Sequence, residues 1–216
     1  MDYFEHYCEI FGIDQKKAVA KAVYLSDNGI RTAMKEMIGE GIIKKYNLFN
    51  VIFPDNIGYK KVTSKKLQKC GCDYQIFFQD KKSVFIDLKS LVGNDYDMVD
   101  KDYRDGGHHE HDENTKGIAL EIYQNGIFTN VNKLTDYFLY TICDKDGISY
   151  CLISYKKVFD VCKKYIIHMG VVPINEFTMY KSNNNTGLYI KYPVHVKRIE
   201  SDATTKKVKK IKKETV

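Results

Sequence analysis

Residues 73–89, DYQIFFQDKKSVFIDLK, narrow the choice of fold more than any other stretch of this chain. Residues 74–79 are rich in aromatic and β-branched side chains, the types that strands favour. Asp80, Lys81, Lys82 and Ser83 are polar and turn-like. Residues 84–89 then alternate, with Val84, Ile86 and Leu88 on one face and Phe85, Asp87 and Lys89 on the other. Two strands joined by a tight turn pair antiparallel. The pattern therefore predicts a β-hairpin that brings Asp73 back beside Asp87 and Lys89. A chain built around such a hairpin needs a sheet, and a covering layer for the apolar face of that sheet.

Two carboxylates and an ammonium on one patch suit a particular chemistry. Carboxylate oxygens hold hard divalent cations such as Mg2+ or Mn2+. Such a cation activates water and offsets charge on a phosphate, and a lysine beside it orients the water or stabilises developing negative charge. The competing reading is an exposed strand end with a solvated ion pair.

An Asp, a hairpin and then Asp-x-Lys resembles the core signature of the PD-(D/E)XK nucleases, the restriction-endonuclease-like superfamily, and its phage and mobile-element members in particular. The resemblance implies that Asp73, Asp87 and Lys89 are catalytic. It also implies that Asp73 and Asp87 bind the metal, with the Leu88 carbonyl as a further ligand. It extends loosely over residues 30–165. There, GIALEIYQNGIFTNVNKLTDYFLYTI resembles an acid-bearing strand followed by a turn and an Asp-Tyr-initiated apolar strand. The chain departs from the family in the long stretch between Lys89 and Gly117, and in having no proline before Asp73. Members often draw another acid from the helix before the sheet. Glu40 is the candidate here and Glu36 the second choice, although Glu40 and Lys44 also form an ordinary i,i+4 helix pair. Glu121, in the stretch that resembles nucleases, is the candidate for a supporting carboxylate, against an exposed strand charge.

At 216 residues the chain suggests one principal domain. Residues 1–28 read as an N-terminal helical segment, 29–200 as the nuclease-like domain and 201–216 as a disordered basic tail. Helices are expected at about 3–11, 15–25 and 30–45. In the third, Ile30, Met34, Met37, Ile38 and Ile42 form an apolar stripe at helical spacing. Asn50–Phe53 reads as the first strand, ended by Pro54, and 55–69 as a polar, lysine-rich stretch without clear periodicity. Further strands are expected at 117–123, 134–142, 148–154 and 186–199, and a helix at 155–167. Helices, then hairpins, then a helix suggest an α/β fold with a mixed β-sheet flanked by helices. The resemblance implies a restriction-endonuclease-like core.

The formal charge of +6 is compatible with a polyanionic partner. The tail carries Lys206, Lys207, Lys209 and Lys210, candidates for salt-sensitive, sequence-blind contact with nucleic acid, or else a solubilising terminus. Lys133 is a further candidate phosphate contact and Asp136 its candidate orienting partner. His108, His109 and His111 lie among acids, but their spacing matches no common closed zinc site. The six cysteines form no CxxC pair, and no signal peptide is recognisable, so reduced thiols in a cytoplasmic protein are expected. No apolar run approaches the ~18 residues of a membrane helix.

The expected function is Mg2+- or Mn2+-dependent hydrolysis of phosphodiester bonds in DNA, by nicking or by double-strand cleavage. Cutting both strands would imply a homodimer. The alternatives are an RNA-acting nuclease, or an inactive nuclease-like fold that binds nucleic acid or inhibits another protein.

Overall fold

A computed structural model describes residues 2–22, 24–93, 115–121, 134–160, 179–181 and 188–201. Helix α1 is Tyr3–Ile10, α2 is Gln15–Val19, α3 is Asp27–Lys45, α4 is Leu48–Ile52 and α5 is Lys65–Lys69. The strands are β1 Asn56–Lys61, β2 Tyr74–Phe78, β3 Ser83–Val92, β4 Thr115–Glu121, β5 Tyr137–Asp144, β6 Gly147–Ser154, β7 Met179–Lys181, β8 Leu188–His195 and β9 Lys197–Ser201. The result is a mixed α/β protein with a six-stranded sheet in the order β1-β2-β3-β5-β6-β9. Neighbours in it run antiparallel except β3 and β5, which are parallel. A second sheet has the antiparallel order β4-β8-β7.

The hairpin forms where the sequence places it, with Tyr74 opposite Ile86 and Phe77 opposite Ser83. At its turn the Lys81 N–H donates to the Phe78 carbonyl and the Phe78 N–H to the Lys82 carbonyl. Lys81 takes φ +62, the left-handed residue that such a loop needs. Tyr74, Ile76, Ile86 and Leu88 join one core with Ile38 and Ile42 of α3. Helix α3 starts at Ser26, whose hydroxyl accepts from the Gly29 N–H, and carries Lys44 and Lys45 in its last turn, where they complement the helix dipole. Tyr7 of α1 anchors the N-terminal segment by donating its hydroxyl to the Asp144 carbonyl at 3.0 Å.

Three expectations need correction. Residues 50–53 belong to α4 and its C-cap rather than to a strand, and the first strand lies beyond Pro54. A short apolar run does not distinguish strand from helix, and here Leu48 and Phe49 are buried on one helical face. Residues 55–69 do contain regular structure, β1 and α5. Strand β1 is an edge strand and mostly exposed, so it lacks apolar alternation. Helix α2 stops at Val19 rather than continuing to residue 25. Ala18 is its one buried residue and Tyr24 and Leu25 are exposed, so no packing sustains a longer helix.

Beyond Ser154, residues 155–160 are helical as expected. Cys8, Cys70, Cys72, Cys143 and Cys151 are free thiols. Burial pushes the Cys72 thiol up to about 11, which marks it as packing material rather than a reactive group. Among the described residues no helix is long and apolar enough to cross a membrane.

Candidate active site

The β2–β3 pairing ends with Tyr74 opposite Ile86, which leaves Asp73, just before β2, beside Ile86, Asp87 and Leu88 of β3. Backbone bonds fix the junction. The Asp73 N–H donates to the Ile86 carbonyl at 2.8 Å, and the Val62 N–H, just past β1, donates to the Asp73 carbonyl at 2.8 Å. The Asp73 side chain reaches across to the next strand, where Oδ2 accepts from the Leu88 N–H at 2.8 Å. Asp87 is 2% exposed. Its Oδ1 lies 2.7 Å from Lys89 Nζ, and the Lys89 side chain remains 47% exposed. The hairpin thus brings together the three residues that the sequence singles out: a buried acid, a second acid across the strand pair, and a lysine that reaches from the acid to solvent.

The electrostatics follow from this crowding. Burial, then the charge of Asp87, pushes the Asp73 carboxyl up to about 6, against the Leu88 N–H and the Lys89 ammonium, while Glu36 adds to the rise. Burial opposes the charge on Lys89. Asp87, through charge and hydrogen bond, together with Asp73 and Glu36, more than offsets it and raises the Lys89 pKa.

Glu40 and Glu36 stand differently. Glu40 does not pair with Lys44. Its carboxylate bridges Lys61 of β1 at 2.5 Å and Lys21, just past α2, at 3.1 Å. Burial works against the charged carboxylate, but hydrogen bonds from these two lysines hold its pKa below the ordinary value. Glu36 is exposed and forms no such clamp. Surrounding protein raises its pKa, Lys89 opposes that rise and Glu40 adds to it. The acid of α3 that shares the field of Asp73 and Lys89 is therefore Glu36, one helical turn before the residue that the sequence favours. Nothing in the i,i+4 spacing separates the two. The difference comes from Lys61 and Lys21, which only the folded chain places against Glu40.

The other candidates lie elsewhere. Glu121 ends β4 in the second sheet, opposite Tyr189, and its side chain lies outside the described part of the molecule. Lys133, the histidines at 108, 109 and 111, and the tail lysines Lys206, Lys207, Lys209 and Lys210 lie outside the described residues. Asp136 holds the hairpin. Its Oδ2 accepts from the Phe85 N–H at 2.7 Å and its own N–H donates to the Phe85 carbonyl at 2.9 Å, locking the start of β5 to β3. Thr135, not singled out in the sequence, bonds through its hydroxyl to the Gly71 carbonyl and ties the same junction to the turn before Asp73.

Among the described residues, no three His, Cys, Asp or Glu side chains are grouped so as to hold a metal ion. The oxygen donors that the structure brings together at the hairpin are the carboxylates of Asp73 and Asp87, to which the resemblance would add the Leu88 carbonyl. Such a set suits Mg2+, which keeps several waters and takes one or two protein carboxylates. Asp73 and Asp87 each commit one oxygen in the bonds above, to the Leu88 N–H and to Lys89. In comparisons with protein-family models, curated proteins and solved structures, the chain matches none.

Proposed function

We propose that this protein is a metal-dependent nuclease of the PD-(D/E)XK type that hydrolyses phosphodiester bonds in DNA. The observation that carries the reading is the meeting of Asp73, Asp87 and Lys89 at the end of the hairpin, with Asp73 Oδ2 2.8 Å from the Leu88 nitrogen and Lys89 Nζ 2.7 Å from Asp87. The antiparallel β1-β2-β3 meander followed by the parallel β3–β5 pair is compatible with the expected core. Asp73 and Asp87, with the Leu88 carbonyl, are the residues that would hold Mg2+ or Mn2+. Once bound, the cation supplies Lewis-acid polarisation of the phosphate and a more acidic water.

The chain's own groups account for the rest. Asp87, buried and fixed by strand pairing, anchors the Lys89 ammonium. Lys89 presents that charge to solvent, where it orients a water or steadies negative charge on the scissile phosphate. Its raised pKa keeps it protonated at neutral pH. Glu36 sits at the exposed rim, within the field of Lys89, and is the third acid of the site.

A second reading, a nuclease-like fold that binds nucleic acid without cutting it, is favoured by the capture of Glu40 between Lys21 and Lys61, which reduces the free acidic set. Incubation with supercoiled plasmid in Mg2+, Mn2+ or EDTA separates the two. The expected result is metal-dependent conversion to open-circle or linear DNA, reduced about 100-fold or more in Asp87→Ala and in Lys89→Ala. Cleavage that persists in both variants overturns the site. A fold that binds DNA but cuts neither DNA nor RNA supports the second reading.

A further inference from the structure

Between Asp55 and Asp73 the chain holds Lys60, Lys61, Lys65, Lys66 and Lys69 and no acidic residue. The folded chain places this run beside the candidate site. Lys61 pairs in register with Tyr74, the residue after Asp73. The Leu67 carbonyl in α5 accepts from the N–H groups of both Cys70 and Cys72, so α5 abuts the strand on which Asp73 begins. Gln68 ties α5 back to β1 by donating to the Val62 carbonyl at 2.9 Å. All five lysines are exposed. Their neutralisation is uneven: Glu40 takes up Lys61, whereas Lys65 and Lys66 have no acidic partner among the described residues. Lys60 lies over the Phe77 ring, its Nζ 5.4 Å from the centroid, and its head stays in water.

Like charges gathered on two adjoining exposed elements cost self-repulsion and add nothing to this core. A polyanion tracking along them removes that cost. We propose that β1 and α5 form a track for the phosphodiester backbone of DNA, with Lys60, Lys65 and Lys66 as its contacts, which leads the strand to Asp73, Asp87 and Lys89. The proposal rests on the nuclease reading for where the strand is led. The track itself is a binding surface and is tested as one. Contact through ammonium groups and phosphates is blind to base sequence and steeply dependent on salt.

The experiment measures binding of the full chain to a labelled DNA duplex in EDTA over a range of NaCl concentrations. Three proteins are compared: wild type, a triple variant Lys60→Gln, Lys65→Gln, Lys66→Gln, and a control with the same charge loss, Lys145→Gln, Lys156→Gln, Lys157→Gln, around β6. Thermal melts check that all three fold. The track variant is expected to flatten the slope of log K against log salt by about 2–3, close to 0.9 per phosphate contact, and equally on unrelated duplexes. The control should keep the wild-type slope. Equal slopes for wild type and track variant overturn the proposal, as does an equal loss in the control or a loss seen with duplex RNA but not with DNA. The plasmid assay, run in parallel, separates the two readings. Cleavage with an unchanged slope removes the track and keeps the nuclease. A flattened slope without cleavage keeps the track and removes the nuclease.

Discussion

Asp73 bears the cost of the site. Its carboxyl lies partly buried, opposite a second and more deeply buried carboxylate, and its pKa is raised to about 6 by burial first and Asp87 second. The sign of the linkage follows. The folded state holds this proton more tightly than the unfolded chain, where the value is near 3.8. The stabilising contribution is therefore complete below about 4 and lost as the pH rises through about 6. At neutral pH the metal-free protein carries the full cost of this burial and repulsion. Asp73→Asn keeps an oxygen to accept from the Leu88 N–H and removes the charge. In EDTA at pH 7.5 this variant should be more stable than wild type by about 1–2 kcal/mol, less than the full two-unit shift because the group is partly exposed. The difference should vanish near pH 4. Denaturant titrations at the two pH values check this, and a variant less stable than wild type at pH 7.5 would mean that burial and the charge of Asp87 do not disfavour the Asp73 carboxylate. The same substitution should abolish metal-dependent cleavage, so stability and activity move in opposite directions.

At the scale of the element, one close contact sets the distance between α3 and the hairpin. Gly39 packs against β3 and β5, and a Cβ there would fall on Ser90 Oγ and lie 3.0 Å from Thr141 Oγ1 and 3.4 Å from Leu88 Cδ2. Ser90 and Thr141 are hydrogen-bonded to each other at 3.0 Å, so neither hydroxyl moves without loss. Gly39→Ala gains about 1 kcal/mol of helix propensity. It loses about 1–3 kcal/mol to overpacking, for a net destabilisation of up to about 2 kcal/mol. In a Ser90→Ala background the same substitution should become neutral or stabilising, and a double-mutant cycle of urea unfolding reads that coupling. No sequence pattern marks Gly39, because it lies inside a regular helix. The hairpin was legible because alternation over residues 84–89 and the polar turn point to the same register. Asp73, Asp87 and Lys89 were legible with it, because a hairpin turned at residues 80–83 returns the chain to the start of its first strand. Strand β1 was not, because an exposed edge strand carries no apolar period. Nor was the choice between Glu36 and Glu40, which is made by Lys21 and Lys61 arriving from other elements.

Over the whole molecule the charges divide the work. The chain carries +6, yet Asp73, Asp87 and Glu36 concentrate negative charge at one end of the hairpin, with Lys89 as the ammonium that pairs directly with one of them. On the proposed nuclease reading, exposed lysines beside these acids would let one chain attract both a polyanion and a small cation. The cation relieves the repulsion that Asp73 and Asp87 impose, so it should bind the folded chain and not the unfolded one. A ligand at ten times its dissociation constant adds about 1.4 kcal/mol, which for a domain of this size raises the melting temperature by about 3–5 °C. Wild type should therefore melt higher in Mg2+ or Mn2+ than in EDTA, by an amount that grows with the logarithm of metal concentration. Asp87→Asn should show no such rise while retaining its fold. Na+ at matched ionic strength controls for screening, which acts on all exposed charges and does not depend on Asp87. An equal rise in wild type and Asp87→Asn would place the cation elsewhere on the protein and remove the site, whatever the plasmid assay showed.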